Sequence, residues 1–95
     1  MRISEFDWDA GNWPKCGEHG LSKSEIESVF RNGPQTNADP SILERRFRAV
    51  GRNDEGRHVF IVYSIRVRGG ARFIRPISAR YMHAKEVRRY EQART

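Results

Sequence analysis

Three stretches with strand character, ILERRFRAVG (42–51), HVFIVYSIRV (58–67) and ARFIRPISAR (71–80), are separated by connections too short for anything but turns. RNDEGR joins the first two, with a hairpin loop over Asp54 to Gly56, and RGG at 68–70 joins the last two. A parallel neighbour would need a crossover of about a dozen residues or more, so these strands form an antiparallel meander. The middle strand, rich in Val, Ile, Phe and Tyr, is expected to be the most buried. Pro76 lacks an N–H and cannot complete a ladder on both sides, which predicts an edge position or a bulge in the last strand.

Helices flank this meander. Ser22 with Glu25 three residues on is a capping box, and Ile26, Val29 and Phe30 then recur at helical spacing until NGP at 32–34 ends the run. Before the cap, AGNWPKCGEHG carries too many Gly and Pro residues for a strong helix, and RISEFDWD reads as a brief first strand. QTNADPS reads as loop. HAKEVRRYEQ closes the chain as a helix, with Val87 and Tyr90 spaced to pack together against the sheet. The predicted class is α+β in one domain over 1–95, since a chain this short holds a single core.

Charge is distributed unevenly. Residues 1–30 carry three basic and six acidic side chains, whereas residues 31–95 carry fifteen basic and six acidic ones. Fifteen of the eighteen basic residues are arginine, whose planar fork suits phosphate or carboxylate better than solubility alone requires. A polyanion or an acidic protein partner is the expected counterpart. No stretch approaches the roughly 18 apolar residues of a membrane helix, and no apolar signal segment follows Met1. A cytoplasmic chain without membrane contact is therefore expected.

His19, His58 and His83 are far apart, Cys16 is the one cysteine, and no metal-ligand spacing, phosphate-cradling glycine loop or nucleophile elbow is present. No cofactor is expected. The strands offer positive charge instead. Alternation puts Glu44, Arg46 and Arg48 on one face of their strand and Leu43, Phe47 and Ala49 on the other. Arg66 shares a side with Ser64, Val62 and Phe60. Arg72, Ser78 and Arg80 share a side if no bulge intervenes. Arg72, Arg75, Arg80, Arg88 and Arg89 crowd the last strand-to-helix junction.

Such a face could hold a scissile RNA phosphate, given a group to take the 2′-hydroxyl proton. His19 is a candidate for base or acid and equally for a structural histidine, with His83 a weaker one. Tyr63 and Tyr81 are either core residues or platforms for a stacked base.

FDWDAGNWPKCGEHGLSKSEIESVF, GRHVFIVYSIR and IRPISARYMHAKEVRRYE together resemble the BrnT toxins, the ribonuclease halves of type II toxin–antitoxin pairs. The resemblance covers nearly the whole chain in order and at matching spacing. It implies a small fold like that of the RelE ribosome-linked toxins and an endoribonuclease that halts translation without a metal. It also implies neutralisation by a BrnA-like antitoxin. Two toxins and two antitoxins would form a heterotetramer that represses its own operator DNA through the antitoxin.

Residue by residue, the family lysine and histidine fall on Lys15 and His19. The family glutamate–arginine pair falls on Arg45 and Arg46, so the glutamate is replaced, although Glu44 precedes it. Arg66, Ser78 and Arg80 match the ends of the later strands, and Glu86 matches a glutamate of the last helix. The catalytic candidates are thus His19, Glu44, Arg46, Arg66 and Arg80. The candidates for RNA contact are Lys15, Arg48, Tyr63, Arg72, Arg75, Ser78, Arg88 and Arg89. The alternative is a non-catalytic module that binds nucleic acid or antitoxin and acts in transcriptional control.

Overall fold

The computed structural model describes residues 5–39 and 45–94. The chain runs through β1 (Glu5–Phe6), a 3-10 turn (Lys15–Gly17), α1 (Lys23–Arg31) and β2 (Gln35–Ala38). It continues through β3 (Phe47–Arg52), β4 (His58–Arg68), β5 (Ala71–Tyr81) and α2 (Ala84–Arg94). The architecture is α+β, a small RelE-like fold in which β3, β4 and β5 form the expected meander.

The sheet extends beyond the meander at both flanks, in the order β1-β5-β4-β3-β2. β1 runs parallel to β5, with Glu5 opposite Phe73 and Phe6 opposite Ile74. β2 lies in the segment expected to be loop. All four of its residues are exposed, so no burial pattern announces it; backbone pairing with β3, Gln35 opposite Val50 through Ala38 opposite Phe47, makes it a strand. β3 begins at Phe47 rather than 42, and residues 42–44 of the expected strand lie outside the described residues.

Local chemistry sets the turns. The Ser22 hydroxyl accepts from the Glu25 N–H at 3.1 Å and the Glu25 carboxylate accepts from the Ser22 N–H at 3.0 Å, which completes the capping box. In the turn between β3 and β4, Asn53 Oδ1 accepts from the backbone N–H groups of Glu55 and Arg57. Gly69 and Gly70 both have positive φ, +55° and +82°, the conformation that a two-residue hairpin requires and that other residues adopt at a cost.

The core lies between α1 and one face of the sheet. Ile26 and Val29 of α1 pack with Ala49, Val59, Ile61, Ile74 and Ala79, and Leu21 and Cys16 close one side. Burial pushes the Cys16 thiol up to about 11, so it remains protonated and inert at neutral pH. Phe30 stands edge-on to Tyr63 at 5.1 Å and Phe47 stacks on Tyr63 at 5.6 Å.

Pro76 sits at a bulge. The β4–β5 register runs Val62 opposite Ser78 and then Tyr63 opposite Pro76, leaving Ile77 as the extra residue. The carbonyl of Pro76 accepts from Asn12 Nδ2 at 2.8 Å, and the same amide donates to the Asp7 carbonyl at 2.9 Å. Buried Asn12 thereby fastens the N-terminal segment along the part of β5 that β1 does not reach.

α2 turns back from the end of β5 toward β4, where its spacing set Tyr90 against the sheet. Tyr90 is buried edge-on to His58 at 5.6 Å, and Val87 is half-buried. Polar contacts also tie the helix down, from Glu86 to Arg80 and from Glu91 to Arg52 and His58.

Candidate active site

Opposite α1, the sheet presents a second face. Strand alternation and the β4–β5 register put Phe60, Val62, Ser64 and Arg66 of β4 on it, beside Arg80, Ser78, Arg75 and Phe73 of β5. Arg48 of β3 joins them opposite Val62. The segment from residue 9 to residue 20 borders this face along β5, and α2 borders it at the end where His58 and Arg52 stand.

Two adjoining clefts open here. The larger, about 220 Å³, is lined by Lys15, Arg46, Arg66 and Arg75 with Gly11, Asn12 and Ile77. The smaller, about 70 Å³, is lined by His19, Phe60, Ser78, Ala79 and Arg80. Chain segments far apart in sequence thus bring four of the catalytic candidates, His19, Arg46, Arg66 and Arg80, onto one face. Glu44 lies outside the described residues.

The arginines differ in what already holds them. Arg66 is exposed and has no ion-pair partner among the described residues. Arg80 forms a two-pronged pair with Glu86, Nη1 to Oε1 at 2.8 Å and Nη2 to Oε2 at 2.9 Å, and its guanidinium lies 4.8 Å from the Phe60 ring centroid. Arg80 first, and then the backbone N–H of His83, holds the Glu86 carboxyl down at about 2. The same pair raises the affinity of Arg80 for its proton.

Several residues expected to touch RNA are placed otherwise. Tyr63 is 6% exposed and clamped between Phe30 and Phe47 in the core, so its ring cannot take a base without loss of that packing. Arg75 is held by Asp7 at 3.1 Å and by both oxygens of Asp9 at 2.9 and 3.0 Å, with 14% of its side chain exposed. That environment makes it a tie for the N-terminal segment rather than an available cation. Arg48 is paired with Asp39 at 2.9 Å. The bulge at Ile77 reverses the alternation, so Arg72 falls on the same face as Ile74 and not with Ser78 and Arg80. Arg88 and Arg89 are exposed on α2, Ser78 is exposed on β5, and Lys15 and His19 are exposed on the bordering segment.

Tyr81 is also structural. Its hydroxyl donates to Glu25 at 3.0 Å, and Arg57 lies 3.4 Å from its ring centroid.

Two participants had no role assigned from sequence. Phe60, read as an apolar strand residue, is the platform under Arg80. Ser64 is 4% exposed, and its Oγ has no hydrogen-bond partner among the described residues, although it stands opposite Arg75 and two positions before Arg66. Neither carries a motif of its own. Among the described residues, no three His, Cys, Asp or Glu side chains gather into a set able to hold a metal ion. No described helix is long and apolar enough to cross a membrane.

A family model described as the ribonuclease toxin BrnT of type II toxin–antitoxin systems matches residues 8–86. No curated protein matches the chain.

Proposed function

The chain belongs to the BrnT family of ribonuclease toxins from type II toxin–antitoxin systems, and we propose that the sheet face opposite α1 is where it holds and cuts RNA. The family makes it a ribonuclease toxin with RNA as substrate and a cognate antitoxin as partner. The observation that carries the proposal is the meeting of Lys15, Arg46 and Arg66 in one cleft beside a second that joins His19, Ser78 and Arg80.

These groups suit attack by the 2′-hydroxyl on its own phosphodiester. The bond from the 2′-oxygen to phosphorus forms, the bond from phosphorus to the 5′-oxygen breaks, and a 2′,3′-cyclic phosphate results. Charge grows on the non-bridging oxygens as phosphorus becomes five-coordinate, and guanidinium and ammonium groups aimed there lower the barrier. Arg46, Arg66 and Arg80 take that role, with Lys15 and Ser78 holding the backbone on either side. His19 takes the hydroxyl proton or returns one to the leaving 5′-oxygen. The exposed Arg88 and Arg89 extend the contact along the strand. In this mechanism the cations carry the electrostatic work and no metal ion takes part.

The same basic face suits the antitoxin, whose acidic segment would cover Arg46 and Arg66. Two toxins and two antitoxins would assemble into a complex that represses its operon through the DNA-binding part of the antitoxin.

The test is incubation of purified protein with matched single-stranded RNA and DNA oligonucleotides in excess chelator, with mass analysis of the ends. Cleavage of RNA to cyclic phosphate ends and sparing of DNA is expected, because DNA has no 2′-hydroxyl. Cutting of DNA, or a strict need for added metal, overturns the mechanism. Absence of cleavage both alone and with ribosomes favours a module that acts only with its antitoxin.

A further inference from the structure

Arg80 uses its donors unevenly. A guanidinium has five N–H groups in one plane. Nη1 donates to Glu86 Oε1 at 2.8 Å and to the Tyr81 carbonyl at 3.4 Å, and Nη2 donates to Glu86 Oε2 at 2.9 Å. Glu86 therefore takes the end of the fork. The Nε–H and the second Nη2–H remain, and covalent geometry sets them side by side on one edge of the guanidinium. Neither has a hydrogen-bond partner among the described residues. Two parallel donors on one edge match two oxygens of a phosphate.

Glu86 is itself held. Its Oε1 also accepts from the His83 backbone N–H at 2.9 Å, which fastens the carboxylate to the first turn of α2. α2 is anchored further along by buried Tyr90 and by Glu91 on Arg52 and His58. Phe60 lies against the guanidinium, its ring centroid 4.8 Å away. A long flexible side chain thus has an aromatic ring against it and its rotation held by a carboxylate.

We propose that Glu86 is a positioning residue for RNA cleavage: it locks Arg80 so that its Nε/Nη2 edge is presented as a preformed phosphate fork beside His19 and Ser78. This rests on the reading that Arg80 acts on the scissile phosphate. Without Glu86, Arg80 keeps its charge but samples many rotamers, and the ordering must then occur in the transition state. A carboxylate held near 2 remains ionised at neutral pH and makes a poor base, so orientation rather than proton transfer is its contribution.

The experiment compares Arg80→Ala, Glu86→Ala, Glu86→Gln and Glu86→Asp by steady-state cleavage of a fluorescent single-stranded RNA oligonucleotide. Nitrogen-15 spectra of the Arg80 Nε–H accompany the kinetics. Glu86→Ala is expected to lower kcat tenfold or more with KM within threefold. Its Arg80 Nε–H signal should broaden or vanish while the remaining spectrum stays folded. Glu86→Gln, which keeps size and one acceptor, should be intermediate and serves if the alanine variant fails to fold. Glu86→Asp should recover part of both the rate and the signal.

If Arg80→Ala abolishes cleavage while Glu86→Ala and Glu86→Gln cleave normally, the positioning role falls and the catalytic role of Arg80 stands. If Arg80→Ala cleaves normally, the catalytic reading fails and the positioning role falls with it. A faster Glu86→Ala enzyme overturns the proposal in the opposite sense, as Glu86 would then mask Arg80.

Discussion

Asp9 and Arg75, 66 residues apart in sequence, share a two-pronged ion pair, Nη2 to Oδ1 at 2.9 Å and Nη1 to Oδ2 at 3.0 Å. Asp7 adds a third contact from a side chain only 8% exposed. Together with Asn12 on the Pro76 carbonyl, this pair ties the segment that carries Lys15 and His19 to β5.

Arg75→Ala is therefore expected to act on the fold before it acts on RNA. Removing Arg75 leaves buried Asp7 with only the exposed Arg68, at 3.4 Å, as counter-charge, a loss of up to about 3 kcal/mol for a mostly buried pair. Thermal unfolding of the variant should show that loss, with hydrogen exchange rising over 7–20. A variant with unchanged stability and weakened RNA binding would restore Arg75 to the RNA-contacting set.

The attachment of α2 should depend on pH in the acid range. Arg52 first, and then His58, holds the Glu91 carboxyl at about 2, and Arg80 does the same for Glu86. Both folded values lie below the ordinary 4.5. Their stabilisation is therefore fully present above 4.5 and is lost as pH falls from there through about 2. Protection factors of the α2 amides, relative to free-chain exchange at the same pH, should fall across that window before the core of β4 and β5 opens. Glu91→Gln should expose α2 to exchange already at neutral pH. Protection of α2 that is unchanged down to the lower end of the window would mean that Tyr90 alone holds the helix.

Ser64 offers a stability test. A buried hydroxyl without a partner costs about 1–3 kcal/mol of desolvation, and its Oγ has no partner among the described residues. Ser64→Ala removes that cost, and each recovered kcal/mol should raise the melting temperature by about 4–8 °C in a domain of this size. A lower melting temperature would show that the hydroxyl is bonded in solution.

Antitoxin binding should be fast and salt-sensitive. Residues 31–95 carry fifteen basic and six acidic side chains, and exposed Arg66 stands on the face that the acidic partner would cover. Charge steering raises the association rate at low ionic strength and is screened beyond about 10 Å at 0.1 M salt. Stopped-flow rates at low and high salt should differ by about tenfold, mostly in association. A flat association rate would remove steering from the account.

Whatever depends on neighbours a few residues apart was legible in the chain. Ser22 and Glu25 start α1 because a capping box is a local hydrogen-bond exchange. The β3–β4–β5 meander follows from turns at Gly56 and at Gly69 and Gly70, and the alternation on β3 placed Ala49 on the core face as read. The basic character of residues 31–95 and the family motifs were equally legible. The remainder waited on the folded chain, because register and partner choice are set across many residues. Polar β2 became a strand only through β3. The bulge beside Pro76, one of the two outcomes open for that proline, turned Arg72 away from Ser78 and Arg80. Tyr63 went into the core because Phe30 and Phe47 arrive from other elements. Above all, arginines that look alike in sequence were divided by distant carboxylates: Asp7 and Asp9 hold Arg75, Asp39 holds Arg48 and Glu86 orients Arg80, while Arg66 stays open to a ligand. Charge is written in the residue, but its availability depends on what the fold places within hydrogen-bonding reach.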